Sequence, residues 1–144
     1  MEIELRLEPE RTDIFVTVRA PGRTPEVESL LLRLDGGETL LGFQGDRAER
    51  LEPANILRFY GEEKEVRAQT AAGVFTVRQR LYELEEELAG TRFVRVSNSE
   101  IVSLDRVAAL DLTLAGTIKM TLEGGTVCWV SRRYVKKIRQ ALGL

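Results

Sequence analysis

Two four-residue apolar runs, Phe93–Val96 and Ile101–Leu104, face each other across the polar step Ser97-Asn98-Ser99, and this short-run pattern limits the fold more than any other feature. Neither run is long enough for a helix, and both are rich in β-branched side chains, so each reads as a strand. The same pattern holds from Glu38 onward. Strands are expected at Thr39–Phe43, Ile56–Tyr60, Val66–Thr70 and Val74–Val77, with 44–50 polar, Leu51–Asn55 a turn and Gly61–Glu65 a charged loop. Ala71-Ala72-Gly73 closes a hairpin over 66–77. Val107–Leu114 is a further apolar run, and residues 117–130 form a second hairpin across Glu123-Gly124-Gly125. Two helices break the pattern. One, of about three turns, carries Leu81, Leu84 and Leu88 inward and Glu83, Glu85, Glu86 and Glu87 outward, and Gly90 stops it. The other begins at Ser131, with Val135, Ile138 and Leu142 on one face and Arg133, Lys136, Lys137 and Gln140 on the other.

The first 36 residues follow a different plan. Ile3–Leu7 and Ile14–Val18 read as strands around a turn holding Pro9 and Asp13, and Pro21-Gly22 breaks the second. Thr24 is placed to cap a helix with Pro25 at its first position. Val27, Leu30, Leu31 and Leu34 then repeat at helical spacing, and Asp35-Gly36-Gly37 ends the helix. This is a small β-β-α extension with its boundary at Gly36-Gly37, followed by a mainly β domain over 37–144. The extension reads as a dimerisation or docking element.

Several chemistries drop out. The chain has no histidine, which removes Ser-His and Cys-His catalysis and imidazole metal sites. One cysteine, Cys128, excludes an internal disulfide and a zinc site, suits a reducing cytoplasm, and reads as a small buried residue. The charged N-terminus is no signal peptide, and no apolar run is long enough to cross a membrane. No enzyme, metal or cofactor is expected.

The net charge of −2 conceals a split. Residues 1–91 hold 12 basic against 19 acidic side chains, a net −7, whereas residues 92–144 hold 9 against 4, a net +5. A basic half joined to an acidic one suits a polyanionic partner for the basic half. Within that half, Ser97, Asn98 and Ser99 carry small donors and acceptors beside Arg95, able to read polar edges or simply to form a solvated turn. Ser131-Arg132-Arg133 sets two cations at a helix N-terminus, where the dipole is already positive. Either an acidic neighbour offsets them, or serine, arginines and free N–H groups jointly hold a phosphate.

The run Phe93-x-Arg95-Val96-Ser97-Asn98-Ser99-Glu100-Ile101-Val102, with Leu104-Asp105-Arg106-Val107, resembles the central motif of the LytTR (LytR/AlgR-type) DNA-binding domain. The closing stretch from Gly124 through Val130-Ser131-Arg132-Arg133-Tyr134 to Val135-Lys136-Lys137-Ile138 resembles its C-terminal signature, and the likeness spans roughly residues 45–144. It implies an elongated, multi-stranded LytTR-type β fold with short helices, whose loops enter successive major grooves of double-stranded DNA. Lys64, Asn98 and Arg133 match the family's DNA-contacting positions, with Arg132, Lys136 and Lys137 serving the backbone, and Arg95, Ser97, Ser99 and Ser131, read from their own chemistry, complete the expected DNA-binding set. By the chemistry of base edges, Asn98 suits adenine and Arg133 guanine, while the lysines suit phosphates. Many members have histidine at the position of Ser97 and asparagine at that of Ser103, so both contacts differ here. Glu62, Glu63 and Glu65 around Lys64 oppose phosphate. The chain is similar to short stand-alone members without a receiver domain. That likeness implies a bacterial cytoplasmic transcription regulator acting at a direct-repeat promoter site, as a homodimer or with a small membrane protein encoded nearby. The competing reading is a protein–protein module or anti-regulator that has kept the fold without DNA binding.

Overall fold

The computed structural model describes residues 1–34 and 40–144, apart from the side chain of Leu32. The chain forms two compact units, Met1–Glu38 and Thr39–Leu144. The boundary expected at Gly36-Gly37, with the helix end at Asp35-Gly36-Gly37 and the first residue of the strand expected at Thr39, lies outside the described residues.

In the first unit one helix forms, α1 (Pro25–Leu34), and Thr24 caps it, its Oγ1 accepting the Val27 N–H at 3.3 Å. The two strands expected at Ile3–Leu7 and Ile14–Val18 do not form: residues 1–24 carry turns and bends but no strand. Alternation marked them as strands, but a strand is made by its neighbour, and neither segment supplies the other with a ladder. Their apolar side chains stand in solvent.

Among the described residues the second unit holds ten strands, two further α-helices and two single-turn 3-10 helices, Pro53–Asn55 and Leu104–Arg106. A seven-stranded antiparallel sheet has the order β2-β1-β5-β4-β3-β7-β6, from β1 (Leu41–Gln44), β2 (Arg47–Arg50), β3 (Ile56–Glu62), β4 (Glu65–Thr70), β5 (Gly73–Val77), β6 (Phe93–Ser97) and β7 (Glu100–Ser103). A three-stranded sheet has the order β10-β9-β8, from β8 (Val107–Asp111), β9 (Ile118–Leu122) and β10 (Val127–Val130). Helix α2 (Leu81–Glu87) precedes β6, and α3 (Arg132–Leu142) closes the chain.

Two cores flank the large sheet. Ile56, Phe59, Val66, Phe75 and Ile101 pack with Leu84 of α2. Leu57, Val96 and Val102 pack with Ile118, Met120 and Val130 of the small sheet and Ile138 of α3. Each fully buried Leu, Ile, Val or Phe contributes about 1.5–3 kcal/mol, so the two layers dominate stability. Because β7 is covered on both faces, Ile101 and Val102 are both buried, and the strand reads as a continuous apolar run.

Three expectations need adjusting. Residues 44–50 contain β2, a short charged edge strand whose Arg-Ala-Glu-Arg has no apolar alternation because neither face is covered. The charged loop at 61–65 is mostly strand, with β3 and β4 running to a two-residue turn at Glu63-Lys64. The acidic helix spans seven residues, two turns rather than three.

Polar contacts seam the two sheets together. Arg58 on β3 donates to Glu100 Oε2 at 2.7 Å and to Gln69 Oε1 at 2.7 Å, and lies over the Tyr60 ring at 4.1 Å. Gln69 in turn donates to Thr126 Oγ1 at 2.8 Å, beside β10. A part-buried charge with this many partners is costly to orphan, which makes Arg58 a structural residue.

Candidate nucleic-acid interface

Three elements converge on the surface that carries most of the expected residues. The β6–β7 hairpin turns at Asn98-Ser99, with Ser97 opposite Glu100. Ser97 Oγ accepts the Ser99 N–H at 3.2 Å and lies 3.4 Å from Ser99 Oγ, so both serines are used in shaping the turn. Arg95 braces it from beneath. Its guanidinium donates to the Ser97 carbonyl at 2.8 Å, the Asn98 carbonyl at 2.6 Å and Glu85 Oε2 of α2 at 2.7 Å. At 14% exposure that side chain has little surface left for a ligand. Asn98 is exposed.

The β3–β4 turn stands beside it. Gly61 N–H donates to the Ser99 carbonyl at 2.9 Å, and Lys64, Arg80, Arg95, Asn98 and Ser99 line one open groove. Glu63 and Lys64 both take positive φ, 53° and 65°, as a two-residue turn that follows strand twist requires. Arg80 fastens the turn by donating to the Lys64 carbonyl at 3.3 Å. Arg67 on β4 lies 3.4 Å from Glu62, 3.6 Å from Glu63 and 3.7 Å from Glu65, so a single cation offsets part of the charge of three exposed glutamates beside Lys64.

The start of α3 completes the surface. Ser131 N–H donates to the Val96 carbonyl at 2.8 Å, pinning the helix to β6, and Arg133 Nη1 reaches Asn98 Oδ1 at 3.5 Å. Ser131 occupies the cap position but its hydroxyl makes no capping bond; it points to the Val96 carbonyl at 3.4 Å. Strand contact outcompetes the local cap there. The acidic neighbour considered for Arg132 and Arg133 does not occur: neither makes an ion pair among the described residues, and nor do Lys136, Lys137 and Arg139. Elsewhere in this unit Arg58, Arg92, Arg95 and Arg106 each have a carboxylate partner.

The remaining residues spread outward. Arg132 and Lys136 line a second groove beside Gly116, where an added Cβ would stand 3.0 Å from Arg132 Nε. Lys137 lines a third with Glu85 and Glu86 of α2, an acidic setting. The structure therefore gathers Lys64, Asn98, Ser99 and Arg133, sets Arg95, Ser97 and Ser131 behind them as supports, and puts Arg132, Lys136 and Lys137 on the flanks of α3. Three residues were missed. Arg139 follows Arg132 and Lys136 on one helical stripe, and its spacing made it readable. Arg67 and Arg80 had no sequence signal, because their positions depend on strand pairing.

A family model described as the LytTr DNA-binding domain matches residues 46–143. Uncharacterized HTH-type transcriptional regulators of Staphylococcus aureus strains MSSA476 and MW2 are each 31% identical to this chain over 147 residues, covering 100% of it and 99% of the relative. A LytTr DNA-binding domain from Bacillus cereus has the same fold, with a TM-score of 0.71 at 20% identity over 75% of this chain and 100% of that one.

Proposed function

The chain belongs to the family of LytTr DNA-binding domains, and on that premise we propose that it is a transcription regulator which binds double-stranded DNA sequence-specifically through turns. The relatives' names speak of a helix-turn-helix, but among the described residues no two helices follow each other without strands between. The observation that carries the reading is the meeting of Arg133 with Asn98, 35 positions apart, on a surface whose helical cations make no ion pair among the described residues. Asn98 and Arg133 read base edges, since an amide pairs with adenine and a guanidinium with guanine in the major groove. Their mutual contact is long enough to be released cheaply. Lys64, Arg132, Lys136 and Lys137 contact phosphates, Lys137 least because Glu85 and Glu86 share its groove. Ser97, Ser99 and Ser131 hold the turns in place, and Arg95 is a positioning residue. No catalysis or cofactor enters.

Arg133→Ala and Asn98→Ala should each weaken binding to the promoter of the protein's own operon by about 1–3 kcal/mol, and relax preference at one base position, in fluorescence anisotropy. Full retention of specific binding by both variants rejects the assignment. A cytoplasmic location follows from the DNA target, and a direct-repeat site suits two copies side by side. A small membrane protein encoded nearby is the further partner, tested by whether its co-expression releases the promoter in cells.

A further inference from the structure

The outer flank of α3 carries a row of cations that the meeting of Arg133 with Asn98 does not explain. Arg132, Lys136 and Arg139 recur at helical spacing, all three exposed, and line one open groove with Val135 and Gln140. Gly116, from the loop between β8 and β9, lines it too, at φ 73° and so close that an added Cβ would stand 3.0 Å from Arg132 Nε. The grooves that hold Lys64 and Lys137 contain glutamates as well, whereas this one has no carboxylate among its described lining residues. None of the three cations makes an ion pair among the described residues. Like charges three and four apart on a helix destabilise it. A row of them, unrelieved by any carboxylate, suits an anion from outside the chain.

We propose that this row tracks the sugar–phosphate backbone of one DNA strand, with Arg139 as a further phosphate contact; the proposal rests on the DNA-binding reading and extends it. Helix geometry selects the occupant. At 3.6 residues per turn, the row of Arg132, Lys136 and Arg139 lies roughly 90° around α3 from Arg133. A helix that sends Arg133 to base edges therefore turns this row to the rim of the major groove, where the phosphates stand. The seven-residue step at 1.5 Å rise puts Arg139 about 10 Å beyond Arg132 along the axis, the length of about three base pairs. A lone phosphate calls for donors that converge on one point, whereas these cations are strung in series, as the charges of a duplex are. Between them, Val135 and the aliphatic stems of the arginines offer apolar surface to deoxyribose, and Gln140 adds an uncharged donor. Arg139 also stands in the last turn of α3, where a cation complements the helix dipole, so the test must separate binding from support.

Full-length Arg139→Gln and wild type are compared by fluorescence anisotropy on duplexes from the promoter of the protein's own operon. Loss of one phosphate contact should weaken binding about fivefold to tenfold at about 100 mM salt and reduce the slope of log affinity against log salt by about one. Preference among single-base variants of the site should stay as in wild type, and Arg139→Lys should restore the slope. Trimming the duplex by about three base pairs at one end should cost wild type the same factor and cost Arg139→Gln nothing. A purely structural role at the helix end gives the opposite pattern, a lower melting temperature with wild-type slope and trimming response, and that result overturns the proposal. Loss of preference at one base position also overturns it, because Arg139 would then read a base. Wild-type binding that ignores salt on every duplex would overturn the DNA-binding reading and this extension with it. A wild-type slope for Arg139→Gln, while wild type itself stays salt-dependent, overturns the extension alone.

Discussion

At the scale of single residues, position in the fold decides which side chains act and which support. Arg95 and Arg133 are the same chemical group on the same surface, yet Arg95 is bound up in two carbonyls and Glu85 while Arg133 meets the Asn98 amide at 3.5 Å and lies over the Tyr134 ring. Sequence reading marked both, because spacing reveals a residue's type and neighbours but not how many acceptors surround it. Cys128 was legible as a buried residue, and it is 1% exposed. Burial, then the hydrogen bond and charge of Glu100, push its thiol up to about 12. The native protein should therefore resist alkylation by iodoacetamide at pH 8 and react fully once denatured. The sign of the linked stability follows. The folded thiol keeps its proton where the unfolded one, near 9.0, has lost it, so stability falls as pH rises from about 9 to about 12. Cys128→Ala should lose that part of the alkaline decline, about 1.4 kcal/mol per pH unit, in urea melts compared at pH 9 and pH 11.

Elements repeat the lesson with hairpins. The 66–77 and 117–130 hairpins were readable because their turn residues separate well-patterned strands. The β3–β4 turn was not. Glu62, Glu63, Lys64 and Glu65 resemble a solvated loop, and nothing in them announces two successive residues with positive φ. Holding a non-glycine residue there costs about 1 kcal/mol, strain that a functional turn tolerates when strand pairing enforces it. Lys64→Gly should thus stabilise the fold by about 1 kcal/mol in chemical denaturation. The same change should weaken DNA binding and reduce its salt slope by about one, because a phosphate contact is lost. Stabilisation with unchanged binding would remove Lys64 from the interface. Helix α2 shows the converse case. Its acidic run looked like a solvated face, yet Glu85 takes part in fixing the Asn98 turn through Arg95.

For the molecule as a whole, charge distribution links the two halves of the reading. The basic excess beyond residue 92 becomes a helix whose five cations have no acidic partner among the described residues, beside turns that carry donors and acceptors. If Lys64, Arg132, Lys136 and Lys137 meet phosphates, log affinity should fall against log salt with a slope of about −4, measured by anisotropy between 50 and 200 mM salt. A slope near zero would favour a protein partner instead. By itself the sequence determined the mainly β class of residues 40–144, most of its strands, the buried cysteine and the Thr24 cap of α1. These are local properties, written in period, turn chemistry and charge within a few neighbouring positions. Only the tertiary structure decided that Arg133 reaches Asn98, that Arg67 lies beside the three glutamates around Lys64, that Ser131 turns its hydroxyl to Val96, and that Ile3–Leu7 finds no partner strand among the described residues. Each depends on which strands pair and which faces are covered, and pairing joins residues that are far apart along the chain.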